Sequence, residues 1–144
     1  MSRKKRIRRL AAALAAASGA LFVATASAHG TAATITIRHQ LHGCHSWSFN
    51  SGAYKPALSV QLTRGATLTI RNNDVMPHKL VRTSGPAVKV LTPKMSHMGA
   101  TAHVRFAKAG VYKFTTKAGE DYSWASHMKT TGEDNVLRLT VSVH

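Results

Sequence analysis

Acidic residues are scarce: 5 positions of 144 are Asp or Glu, against 20 that are Lys or Arg. So few carboxylates offer no visible acid and base pair, which argues against an enzyme built on two acids. Cysteine occurs once, at Cys44. A single thiol cannot close an internal disulfide, and in an oxidising compartment it must be buried, paired between chains or bound to metal. Aromatic residues make up 6% of the chain, and none interleaves with a basic run beyond the N-terminus, so the positive charge does not read as a nucleic-acid surface. Long apolar runs are missing as well. The one such stretch, 10–24, is diluted by Ala, Ser and Gly and is too short and weak for a permanent membrane span.

That stretch has a simpler reading. It follows a basic start, Arg3, Lys4, Lys5, Arg6, Arg8 and Arg9, and precedes Ala26, Ser27 and Ala28. A basic n-region, a short apolar h-region and small residues before a cleavage point make residues 1–28 a signal peptide. The residues around Arg8 and Arg9 fit the twin-arginine pattern poorly. The expected mature chain is 29–144, one domain with a modest core, exported to a periplasm, a cell surface or the medium, with no stable membrane insertion after cleavage. All 9 histidines fall within it. Cleavage would make His29 the first residue, and an N-terminal histidine can chelate copper through its amine and ring; no partner histidine at a predictable distance supports that brace here.

The mature part reads as strands joined by turns. Residues 34–39 place Ile35, Ile37 and His39 on one face, and 57–63 place Leu58, Val60 and Leu62 on another. Further strands are predicted over 65–71, from Leu80 onward, over 88–91, over 101–106 with Ala102, Val104 and Phe106 inward, over 111–116 with Tyr112, Phe114 and Thr116 inward, and over 137–143. Residues 40–47, 92–99 and 117–135 are predicted as loops, and no repeat or low-complexity segment interrupts the pattern. Consecutive short strands rich in β-branched residues, with few helix formers, imply an all-β, Greek-key β-sandwich.

One corner organises the rest. Asn72, Asn73 and Asp74 end a strand, Pro77 restricts Met76 to an extended conformation, and His78 is delivered by a stiff turn. This run resembles the copper-ligand loop of the cupredoxins, the plastocyanin and azurin family. The segment Gly110, Tyr112, Phe114 is similar to the strand that precedes the family's copper-binding cysteine, and the likeness extends over roughly 58–143. By strand parity that cysteine's place is held by Thr116. His127 and Met128 follow only after a long insertion, so the standard type 1 loop of Cys, His and Met is absent.

The resemblance implies that the first strand, the Leu68 strand and the Tyr112 strand run toward one end of a cupredoxin-like sandwich. His42, Cys44, His45, His78, His97 and Met98 would then converge as a rearranged copper site, with the sulfur ligands favouring Cu(I). His39 reads as a histidine at the edge of the core, Trp47 and Trp124 as packing or shielding residues, and His103 and His144 as solvent-facing. The function so implied is copper handling, by binding, storage or delivery, with copper as cofactor and a redox or copper-trafficking protein as partner. Two alternatives stand beside it: an electron-transfer protein with a relocated type 1-like site, and a metal-free interaction domain. A copper oxidase or monooxygenase would need an open coordination position and a substrate cleft, and no acid and base pair is visible among the 5 carboxylates.

Overall fold

The structure, a computed structural model, describes residues 27–28, 33–119, 131 and 135–144. The expected signal segment up to residue 26, His29, Trp124, His127 and Met128 lie outside the described residues. Among the described residues there is no helix, and therefore none long and apolar enough to cross a membrane.

Eleven strands form two sheets. They are β1 (Ser27–Ala28), β2 (Ala33–His39), β3 (His45–Phe49), β4 (Ala57–Leu62), β5 (Thr67–Asn73), β6 (His78–Ser84), β7 (Val90–Leu91), β8 (Lys94–Met95), β9 (Thr101–Arg105), β10 (Gly110–Ala118) and β11 (Arg138–Val143). One sheet has the order β1-β4-β11-β10-β6-β8 and the other β3-β2-β5-β9-β7. Both are mixed, with β4 parallel to β11 and β2 parallel to β5.

The alternation read in the sequence produces this packing. Ile35 and Ile37 of β2, Leu68 and Ile70 of β5, and Ala102 and Val104 of β9 are buried from one sheet. Tyr112 and Phe114 of β10, with Leu139, Val141 and Val143 of β11, meet them from the other. Side chains at alternate positions share a face, so each strand gives one set to the core and the other to solvent. Phe106 fills the centre, edge-on to Tyr112 with ring centroids 4.9 Å apart. Tyr112 is buried, and its hydroxyl donates to the Lys108 carbonyl at 2.7 Å, which removes the cost of an unpaired phenol.

Three pieces of structure fall where the sequence suggested loop or leader. β3 runs through His45 and Trp47, β8 lies within the expected 92–99 loop, and β1 pairs its backbone with Gln61 and Leu62. Strand β3 escapes a two-period reading because Ser46 and Ser48, on its polar positions, are buried along with His45 and Trp47. Trp47 sits in the core, fully buried opposite Ile37, as a packing residue.

The topology gathers strand ends at one pole. Parallel β2 and β5 finish together, β10 finishes with Ala118 beside His78, and β8 finishes with Met95 beside His78. That pole is the only place where β2, β5, β6, β8 and β10 all present a terminus among the described residues.

Candidate metal centre

The 72–78 corner is built by side chains bonding to their own backbone. Asn72 is fully buried; its Nδ2 donates to the Met76 carbonyl at 2.8 Å, while its Oδ1 accepts from the Asp74 N–H at 2.9 Å. Asp74 Oδ1 in turn accepts from the Val75 N–H at 2.6 Å. Such Asx turns stiffen the loop locally, and Asn72 Nδ2 also donates to the Met95 carbonyl at 3.3 Å, which ties the corner to β8. They aim the Asp74 carboxylate inward, where it is 0% exposed, and they leave His78 as the first residue of β6, 1% exposed.

A second loop brings two more imidazoles. Gly43 and Cys44 both have left-handed backbones, at φ 73° and 58°, and turn the chain sharply from β2 into β3. At Gly43 the space for a Cβ is taken by the Asn135 side chain, so a glycine is needed for space as well as for φ. Asn135 Nδ2 donates to the His45 carbonyl at 3.1 Å, and the Gly43 N–H donates to the Thr131 carbonyl at 3.1 Å. The turn makes His39 and His45 a directly opposed cross-strand pair, and such pairs share a face. That face is the inward one, since His39 continues the series Ile35, Ile37.

The two loops meet at Asp74. His78 Nε2 lies 3.0 Å from Oδ2, His45 Nδ1 lies 3.8 Å from Oδ2, and His39 Nδ1 lies 3.7 Å from Oδ1. The rings of His45 and His78 stand edge to face, with centroids 5.0 Å apart. Donor atoms of His45, Asp74 and His78 all lie within 4.8 Å of one another. On the far side of the ring, His78 Nδ1 is 3.2 Å from Thr116 Oγ1. This contact fixes which nitrogen faces Asp74, and second partners of this kind orient metal-binding histidines.

Asp74 is also the only side-chain carboxylate among the described residues. A buried carboxylate is costly unless it is paired and hydrogen-bonded, and here three imidazoles face it.

The expected ligands divide. His45 and His78 come together; Cys44 is buried, and its thiol reaches Met76 Sδ at 4.0 Å on the neighbouring corner. His42, His97 and Met98 lie outside the trio that includes Asp74. His42 is exposed before the Gly43 turn, its backbone bridged to Thr131. His97 is exposed in a turn closed by the Ala100 N–H on its carbonyl at 3.1 Å, and Met98 is 45% exposed. The sequence reading missed Asp74 and assigned His39 to the core edge alone. One signal for Asp74 was available: it precedes His78 by four residues, and every other acid lies in 120–134.

The donor chemistry narrows the choice of metal. Tetrahedral ligands at about 2.1 Å from an ion are about 3.4 Å apart, close to the separations around Asp74. Imidazole and carboxylate together suit Cu(II) or Zn(II). The standard type 1 arrangement is not formed at the end of β10, where the resemblance would place its cysteine and Thr116 carries a hydroxyl.

Strand order and the shared pole define the fold, an all-β sandwich of two mixed sheets with cupredoxin-like topology. Its pole gathers histidines and a carboxylate around the corner histidine. No protein-family model matches the sequence, and no curated protein matches it. Similar solved structures include a purple cupredoxin from Nitrosopumilus maritimus, 22% identical, covering 76% of this chain and 99% of that one at a TM-score of 0.41. An oxidised mutant of amicyanin is 20% identical, covering 81% and 85% at a TM-score of 0.36. A copper-containing nitrite reductase from Thermus scotoductus SA-01 is 16% identical over 76% of this chain at a TM-score of 0.40, and the chain spans 22% of its length. Likenesses this remote leave the chemistry to be read from the chain's own residues.

Proposed function

We propose that this protein is an exported copper-binding protein that works in copper handling, holding Cu(II) through His45, Asp74 and His78 with His39 beside them. The observation that carries this reading is the buried Asp74 carboxylate faced by three imidazoles at the pole where five strands end. Nitrogen and carboxylate donors favour Cu(II) over Cu(I), and among divalent first-row ions they bind Cu(II) most tightly. The donor set therefore shifts the expected oxidation state away from the Cu(I) that a sulfur-rich site implies. Thr116 holds the His78 ring in place, and Asn72 holds the corner that carries both Asp74 and His78. Copper bound here would supply a Lewis-acidic, redox-active centre. The chain's contribution is to fix the donors and to keep water from most of them.

Cys44 belongs to the neighbouring loop contact with Met76 and is not required by this set. In a Cu(II) competition titration, His45→Ala is expected to weaken binding by more than about tenfold, or about 1.4 kcal/mol, while Cys44→Ser changes it little. The reverse ranking would return the site to a cysteine-centred one. Failure of the wild-type protein to take up copper at all would leave the Asp74 cluster as a structural network.

A further inference from the structure

We propose that the outer face of the β8, β6 and β10 strands docks an acidic segment of a partner protein. Lys94, Lys79 and Lys117 stand in one row across these three adjacent strands, in register, Lys94 opposite Lys79 and Lys79 opposite Lys117. All three are exposed. Neighbouring strands lie about 4.8 Å apart, and like charges set directly opposite destabilise a sheet. A row of this kind costs stability unless something compensates it.

The row continues along the same face. Lys113 and Arg138 border a groove of about 410 Å³ that is also lined by Thr83, Phe114, Thr115, Val136, Leu139 and Thr140. The cationic side chains at its border suit carboxylates. Charge complementarity of this sort sets association rate and partner choice.

Position argues for a protein over a bare polyanion. Each lysine is the immediate neighbour of a residue at the pole: Lys79 of His78, Lys94 of Met95, and Lys117 of Ala118, which pairs with His78. Exposed apolar side chains, Leu41 at 58% and Met98 at 45%, lie on loops that flank the strands ending at this pole. Exposed apolar side chains near charged ones suit a protein partner. No large exposed aromatic side chain is found among the described residues, and stacking platforms are what single-stranded nucleic acids require. The docking does not depend on which metal the pole holds, so it is tested on metal-free protein.

The probe is a fluorescein-labelled decaglutamate peptide, followed by anisotropy at low salt. Wild-type protein is expected to bind it, and the triple variant Lys79→Gln, Lys94→Gln, Lys117→Gln to bind about tenfold more weakly or worse. A control triple removes the same charge at the opposite pole: Arg64→Gln, Arg105→Gln, Lys108→Gln. It is expected to stay within about twofold of wild type. Equal losses in both triples would reduce the effect to net charge and overturn the proposal, as would absence of binding by the wild type. Binding of a single-stranded DNA decamer, or of vesicles containing phosphatidylserine, more tightly than the peptide and with the same dependence on the row would overturn the choice of partner. Cu(II) titration of the row variant, expected to match wild type, shows the pole intact and separates failure of docking from failure of the copper reading.

Discussion

Asp74→Ala is expected to remove tight copper binding and to weaken the fold at the same time. The carboxylate is fully buried, accepts the Val75 N–H at 2.6 Å and faces His78 Nε2 at 3.0 Å. Truncation leaves that imidazole buried without its acceptor and takes away two bonds of the corner, those donated to Oδ1 by the Val75 and Met76 N–H groups. Breaking a buried pair on one side costs about 3–5 kcal/mol. Copper affinity should fall by more than about 100-fold, or about 2.7 kcal/mol, because one ligand is gone and another has lost its place. Asp74→Asn separates the two effects. The amide oxygen can still accept from Val75, so most of the stability returns, whereas the negative charge that offsets a divalent cation does not. Urea unfolding of the metal-free proteins and copper competition on each variant would show this split. Wild-type copper affinity in Asp74→Asn would remove Asp74 from the site.

His78→Ala is expected to lower copper affinity by well over tenfold, more than about 1.4 kcal/mol, and His103→Ala to leave it unchanged. The contrast follows from strand parity and position. His78 opens β6 at the pole with both ring nitrogens engaged, one by Asp74 and one by Thr116. His103 lies on the outer side of β9, its ring between the hydroxyls of Thr69 and Thr101, each at 3.1 Å. It pairs with Leu91 and Thr69 in the middle of the sheet, away from the gathered strand ends. Isothermal titration of both variants decides the matter. Equal losses would mean that copper binds somewhere other than the pole.

How far the site can be read from the sequence depends on how local its determinants are. The 72–78 corner is legible because its makers, Asn72, Asp74 and Pro77, are contiguous with the histidine that they deliver. The core strands are legible for a similar reason: Leu58, Val60 and Leu62, or Leu139, Val141 and Val143, alternate over a single stretch. Asp74 as a site residue is not legible in this way. In the sequence it is a turn residue, and it becomes the centre of a cluster only through the register that sets His39 against His45 and the parallel pairing that ends β2 beside β5. His39 is hidden by the same cause, since a histidine continuing an apolar series looks like the end of a core face until a carboxylate arrives from another strand. The choice between His42 and His45 turns on two left-handed residues, Gly43 and Cys44. Composition can suggest such a turn, but only the backbone shows which histidine it sends inward.

Absorption and electron paramagnetic resonance of the copper-loaded wild-type protein test the central claim most directly. With His45, Asp74 and His78 as ligands, one Cu(II) per chain should give a pale solution and a spectrum with nitrogen hyperfine structure, and Cys44→Ser should leave both unchanged. An intense visible band from thiolate charge transfer, lost in Cys44→Ser, would contradict the account and place Cys44 at the metal.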